Sequence, residues 1–282
     1  MTVLTEQSTG RTTQTSTWKI HYNEAGDGHP VVMLHGSGPG ATGWSNFAPN
    51  IAVLAERFRV LAVDMPGWGG SDSVSAQDRD HTSALLEFLD ALEIEKAALV
   101  GNSMGAATSL SFAARHPDRI SHLIMMGGGA PGQPMMFGPG GGPSEGLKVL
   151  FAAYREPSPE NMKRLVDVMT FDSAFSTDEL AVQRAENALR RPEHLQNFVA
   201  GLDAGLMILK GAPTLEQIAR IATPTLLIHG RDDRVMSYEH SLRLVSVIPD
   251  SRLLLVNRSG HWTQLEHANE FNRVVAQFIS EV

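Results

Sequence analysis

Gly101-Asn102-Ser103-Met104-Gly105 stands between a short apolar run, Ala97 to Val100, and a stretch of helical composition, Ala106 to Arg115. The first reads as a buried strand and the second as a helix, so the five residues fall at a sharp strand-to-helix turn. In that context a G-x-S-x-G pattern forms a nucleophile elbow. The glycines let strand and helix approach where any Cβ would clash, and the serine stands exposed at the carboxyl edge of a sheet, above the positive end of the helix. Ser103 is therefore the candidate nucleophile.

Upstream of the elbow, Val31 to Leu34 reads as a continuous apolar strand, followed by His35-Gly36-Ser37-Gly38-Pro39-Gly40. A loop this rich in glycine beside a serine elbow suits an oxyanion hole, because Gly36 and Gly38 let the main chain approach a substrate oxygen closely. Asn46 to Phe58 reads as a helix, and Val60 to Val63 as a strand that ends at Asp64. Met65 to Asp72 is rich in turn residues, and carboxylates at such a turn, here Asp64 and Asp72, are read as holding backbone rather than as catalytic. Leu85, Leu86, Leu89 and Leu92 mark one face of a further helix. Trp18 to Tyr22 reads as an edge strand, and residues 1–17, rich in Thr, Ser and Gln and lacking the apolar core of a secretory signal, as a flexible tail.

Downstream, Ile120 to Met126 is the next strand, and Gly127 to Pro143 reads as irregular. Three helical stripes follow: Leu147, Leu150, Phe151 and Tyr154; Met162, Leu165, Val166 and Met169; Leu195, Phe198, Val199 and Leu202. No strand pattern interrupts them, so residues 135–212 are expected to be a helical lid inserted in the sheet. The sheet resumes at Thr225 to His229 and ends with Arg252 to Val256 and a helix carrying Phe271, Val274, Val275 and Phe278. The expected architecture is α/β, with a mainly parallel, doubly wound sheet built by residues 1–134 and 213–282 around the inserted lid. Active sites in such sheets lie at the carboxyl ends of the strands.

A serine hydroxyl is a weak nucleophile until a base takes its proton, and a carboxylate must orient that base and stabilise its cation. His261, behind Gly260 after the last strand, is the candidate base. Its orienting acid lies in Gly230-Arg231-Asp232-Asp233-Arg234, where position alone leaves Asp232 and Asp233 both open. With no cysteine, disulfides, thiolate metal sites and a cysteine nucleophile are excluded, and the chemistry calls for neither metal nor organic cofactor. The net charge of −8 is spread along the chain, so no basic stripe points to nucleic acid or anionic lipid. No apolar run approaches the roughly 18 residues of a membrane span. The expected location is the cytoplasm.

His35-Gly-Ser-Gly-Pro-Gly-Ala-Thr-Gly-Trp-Ser-Asn46, the elbow, Gly230 to Arg234, Gly260-His-Trp262, Glu266-His267 and Glu270-Phe-Asn-Arg273 together resemble the α/β-hydrolases that act on meta-cleavage products of aromatic rings. The resemblance extends over nearly the whole chain from about Trp18, and Ala106 departs from it where a further glycine is frequent. It implies an eight-stranded α/β-hydrolase fold and hydrolysis of a carbon–carbon bond in a 2-hydroxy-6-oxohexa-2,4-dienoate. It further implies Asp233 as the acid and the N–H groups of Ser37 and Met104 as the oxyanion hole. Asn46 and Asn102 would line the dienoate end, Arg184 would receive the substrate carboxylate, Trp262 would wall the pocket, and the protein would be a homo-oligomer acting on a small-molecule dienoate. A general carboxylesterase and a slow-turnover ligand receptor on the same fold are the other readings.

Overall fold

The computed structural model describes residues 3–129, 142–206 and 210–281. Eight strands form one sheet: β1 (Gly10–Gln14), β2 (Lys19–Ala25), β3 (Pro30–Leu34), β4 (Arg59–Val63), β5 (Ala97–Asn102), β6 (Ile120–Met126), β7 (Thr225–Gly230) and β8 (Ser251–Val256). Their order is β1-β2-β4-β3-β5-β6-β7-β8, with β1 and β2 antiparallel to their neighbours and the rest parallel. Because side chains alternate across a strand, Val31 and Met33 of β3 enter one core and Val32 and Leu34 the other. The first core is closed by α2 (Gly43–Leu54) and α12 (Ala268–Ser280), through Phe47, Ile51, Phe271 and Val275. The second is closed by α3 (His81–Ala91), α4 (Met104–Arg115) and α10 (Glu239–Val247), through Leu85, Phe88, Leu110 and Leu244. Strands covered on both faces read as continuous apolar runs, which is why the central ones were legible.

Between β6 and β7 lie α5 (Glu145–Arg155), α6 (Pro159–Met169), α7 (Asp178–Leu189) and α8 (Pro192–Asp203), followed by α9 (Leu215–Ala219). The four larger helices sit over the carboxyl ends of the strands. At its start α5 is fixed to the loop after β7, with Ser144 Oγ donating to Val235 O at 2.8 Å and Gly146 N to Arg234 O at 3.1 Å. Its far end reaches the loop after β3, where Tyr154 donates to Ser37 O at 2.7 Å. The backbone of α7 at Ala188 lies against Gly40 of that same loop. The carboxyl end of α6 docks on the histidine loop, Met169 O accepting from His261 N at 2.7 Å and from Trp262 N at 3.2 Å.

Part of the expected flexible tail is ordered. Residues Glu6–Thr9 form α1 and Gly10–Gln14 form β1, whose backbone pairs with β2, so β1 is the outer strand and Lys19–Ala25 lies inside it. Apart from buried Thr9, held by Asn23 at 2.9 Å, the segment faces largely outward, which explains its polar composition. The expected helix from Asn46 to Phe58 runs instead from Gly43 to Leu54, started by a capping box between Thr42 and Ser45. Most of the irregular Gly127 to Pro143 stretch, with the expected lid boundary at 135, and residues 207–209 lie outside the described residues.

Candidate active site

The elbow is built as its sequence requires. A Cβ on Gly101 would collide with the backbone of Gly105, and one on Gly105 with the carbonyl of Leu34. Between them Ser103 adopts φ 54° and ψ −111°, a left-handed conformation that costs a non-glycine residue about 1–3 kcal/mol and occurs where the fold imposes it. The fold does so here by anchoring Ser103 N to Met126 O at 2.7 Å and Gly105 N to His35 O at 3.1 Å.

Ser103 and His261 line one small cavity, with Gly36, Ser37, Gly38, Asn46 and Asn102 on its β3 and β5 side. Ala41, Leu147, Leu150, Met169, Val235, Arg184 and Trp262 line the rest. The cavity has about 30 Å³ of room, little more than a water or two. A larger cleft of about 680 Å³, lined by Trp68 and Tyr154 among others, is not lined by Ser103, Asp233 or His261. The smaller cavity is the candidate site because the reactive groups converge there.

Behind the cavity, His261 Nδ1 lies 2.7 Å from Asp233 Oδ2. Asp233 Oδ1 accepts from Val235 N at 2.7 Å and Met236 N at 2.9 Å, which fixes the carboxylate from its own loop. Burial alone would raise the Asp233 pKa, but the charge on His261 and hydrogen bonds from His229 and His261 outweigh it and hold the carboxyl well below its ordinary range. Asp232 is a different case: its side chain is 31% exposed against 1% for Asp233, and it accepts from Arg258 N at 3.0 Å. Of the two acids, only Asp233 meets the histidine. No hydrogen bond of the Ser103 hydroxyl is found among the described residues; nucleophile–base contacts of this kind often tighten only on substrate binding.

The donors at the front of the site are aimed by buried groups. Met65 N donates to His35 Nε2 at 3.0 Å, so His35 carries its proton on Nδ1 and gives it to Gly36 O at 2.8 Å. A trans peptide points its N–H opposite its C=O, so holding Gly36 O sets the direction of Ser37 N–H. Gly36 approaches the serine so closely that a Cβ there would lie 3.3 Å from Ser103 Cβ. The N–H groups of Ser37 and Met104 meet no acceptor among the described residues. Asn46 Oδ1 accepts from Gly36 N at 3.3 Å, and Asn102 Nδ2 donates to His261 O at 3.2 Å, so both asparagines brace the loops on either side of Ser103.

Arg184, on α7, is 7% exposed, and its guanidinium carbon lies 4.4 Å from the centre of the Trp262 ring. Its Nε has no hydrogen-bond partner, and no acidic side chain pairs with it among the described residues. Burial pulls its pKa down to about 10, leaving it cationic at neutral pH. Asp64 and Asp72 hold backbone, as their turn positions suggest: Asp64 accepts from Gly43 N at 2.7 Å and Gly70 N at 2.9 Å, and Asp72 from Lys19 N at 2.7 Å.

Three residues to which the sequence reading gives no role in the site support it. His229 bridges Ser241 Oγ at 2.7 Å and Met236 O at 2.9 Å, and its Nε2 lies 3.3 Å from Asp233 Oδ2. Trp68 Nε1 donates to Gly38 O at 3.1 Å and to Tyr154 Oη at 3.0 Å. Glu266 accepts from Gly260 N at 2.7 Å and, with its other oxygen, from Phe171 N at 2.7 Å and Asp172 N at 3.0 Å, so one carboxylate ties the histidine loop to the segment after α6. His229 and Trp68 stand next to motifs in sequence but carry no pattern of their own, whereas Glu266 lies within the stretch that carries the resemblance.

A family model described as the alpha/beta hydrolase family matches residues 31–274. The chain is 45% identical to a 2-hydroxy-6-oxononadienedioate/2-hydroxy-6-oxononatrienedioate hydrolase of Cupriavidus pinatubonensis, over 93% of this chain and 91% of the relative. It is 43% identical to a 2-hydroxy-6-oxo-6-phenylhexa-2,4-dienoate hydrolase of Burkholderia cepacia, over 94% and 92%. Among solved structures, the meta-cleavage product hydrolase CumD of Pseudomonas fluorescens IP01 superposes with a TM-score of 0.87 at 32% identity, covering 98% of this chain and 99% of that one. With its sheet order, its strained serine and its sequence in agreement, the chain belongs to the alpha/beta hydrolase family and, within it, to the meta-cleavage product hydrolases.

Proposed function

We propose that the chain cleaves the C5–C6 bond of a 2-hydroxy-6-oxohexa-2,4-dienoate with water, giving 2-hydroxypenta-2,4-dienoate and a carboxylic acid. The observation that carries this reading is Arg184, a buried guanidinium facing the cavity with no acidic partner among the described residues. An unpaired buried charge is costly, and a substrate carboxylate would complete the pair by charge-assisted hydrogen bonds. A general carboxylesterase has no use for such a group.

The rest follows from the reaction. Carbon is a poor leaving group, so the dienol first gains a proton at C5 and loses the one on its 2-hydroxyl, becoming a keto form. In that form C5 can depart as a stabilised dienolate. Arg184, Asn46 and Asn102 hold the anionic end during the shift. Ser103 then attacks C6 as His261, oriented by Asp233, takes its proton, and the N–H groups of Ser37 and Met104 receive the oxyanion. The C5–C6 bond breaks and the acyl-enzyme is released by water. Residues 135–212 act as a lid: the cavity under α5 to α7 is too small for a dienoate, so entry requires these helices to yield.

No described helix is long and apolar enough to cross a membrane. The reading includes a cytoplasmic homo-oligomer, supported by the absence of cysteine and by the family resemblance; light scattering tests the assembly. Turnover is tested by following a chromophoric dienoate beside a neutral aryl ester and identifying the products. Cleavage of the dienoate into the two acids is the expected result. Turnover of the ester alone would make the protein an esterase, and turnover of neither a binding protein.

A further inference from the structure

Resting on that reading, we infer that the substrate carries an uncharged, apolar substituent at C6, in contrast to the dienedioate named for the Cupriavidus relative. The strand order fixes the two ends of the cavity. Ser103 follows β5; the loop after β3, with Gly36, and the first turn of α2, with Asn46, lie on one side, and the loop after β7, with Val235, on the other. Arg184 belongs to the β3 side, because its helix packs at Ala188 against Gly40. Leu147 belongs to the β7 side, because it stands one turn into the helix whose start is fixed to Arg234 and Val235. A dienoate with its carboxylate on Arg184 and C6 at Ser103 therefore directs its C6 substituent toward Leu147, Leu150 and Val235.

Among the described residues, no Lys or Arg faces that end. Arg184 is the one Lys or Arg among the described residues lining the cavity. Arg234 turns away to the carbonyls of Asp167 and Thr170, and Arg79 lies over the rings of Trp68 and Phe198 and does not line the cavity. His240, on α10, packs on Gly129 without lining the cavity, and burial lowers its pKa. Residues 130–141 and 207–209 contain no Lys, Arg or His in sequence. The charge behind the β7 side is Asp233, itself negative. A second carboxylate would be desolvated among leucine and valine side chains, unpaired and repelled, whereas an alkyl or aryl group would gain from burial.

The test is kcat/KM of the purified enzyme for three dienoates differing only at C6: methyl, phenyl, and the propionate side chain of the nonadienedioate. The better of the two apolar substrates should exceed the dienedioate by at least about 100-fold, the scale set by burying one unpaired charge. A dienedioate within tenfold of the better apolar substrate would overturn the inference while leaving the activity intact. Failure of all three, with an aryl ester still hydrolysed, would instead overturn the activity on which it rests. Leu147→Lys should raise the ratio of dienedioate to phenyl turnover by about fivefold, the size of one partly exposed ion pair, while Leu147→Gln should not. An unmoved ratio in a folded Leu147→Lys protein would overturn the placement of Leu147. If that variant does not fold, the wild-type ratio decides.

Discussion

The Tyr154 hydroxyl donates to the carbonyl of Ser37 at 2.7 Å, joining a helix over the sheet to the loop that carries a candidate oxyanion donor. The phenol is buried, accepts from Trp68 Nε1 at 3.0 Å, and stacks on Phe198 with ring centres 3.6 Å apart. Tyr154→Phe keeps the stacking and removes both hydrogen bonds; Trp68 Nε1 retains Gly38 O, so the loss that reaches the loop is the bond to Ser37 O, about 1–2 kcal/mol. If the bond serves the transition state through Ser37, kcat should fall roughly five- to thirtyfold with KM little changed. Equal kcat with raised KM would make the contact one of substrate admission instead.

Ser103→Ala should retain the wild-type thermal unfolding midpoint or exceed it, since alanine removes no hydrogen bond of the hydroxyl among the described residues. Its turnover should drop by at least about a thousandfold, as expected for loss of a nucleophile. Burst and steady-state assays of dienoate cleavage check this. Near-normal turnover would place the nucleophile elsewhere.

The two adjacent acids give an internal control. Asp233→Asn preserves shape but favours the wrong histidine tautomer and leaves the imidazolium unsupported, so kcat should fall by about 10³–10⁴. Asp232→Asn touches a surface turn at Arg258 and should stay within a few-fold of wild type. Similar losses in both would contradict the assignment of Asp233.

A pH dependence of stability follows from His81, buried with Nε2 donating to Pro66 O at 3.0 Å and Nδ1 unpartnered among the described residues. Burial, helped by the nearby Arg79 charge, lowers its pKa to about 3. The unfolded chain binds this proton near pH 6.5 and the folded one does not, so stability is lost as pH falls from 6.5 toward 3. Between pH 7 and pH 5 the contribution is about 2 kcal/mol. Urea unfolding of wild type and His81→Gln at both values should show a loss smaller by about that amount in the variant. Identical losses would mean that His81 titrates normally in the fold.

Much of this was legible because covered strands and a serine elbow leave strong local patterns. The central strands are apolar runs of the right length, and the elbow glycines are dictated by backbone contacts that no side chain fits. The order of the strands is not a local property, and so the placement of Val235 opposite Asn46 could not be read. Strand β1 was missed because it is exposed at the sheet edge and pairs through its backbone. Helix α7 shows no apolar stripe because its buried face is Ala181, Arg184, Ala185 and Ala188. Small side chains let the helix lie close to the loop after β3, and the arginine lines the cavity. The link from Glu266 to Phe171 and Asp172 joins residues nearly a hundred positions apart and has no sequence signature.

The central claim is that Arg184 meets the carboxylate of a dienoate before Ser103 attacks. Stopped-flow absorbance of Arg184→Gln, with a neutral aryl ester assayed on the same protein, tests it most directly. The variant should form the keto intermediate at least about tenfold more slowly, the loss expected for one charge-assisted contact, while ester hydrolysis changes less than about twofold. Equal loss on both substrates would make Arg184 a structural residue and contradict the account.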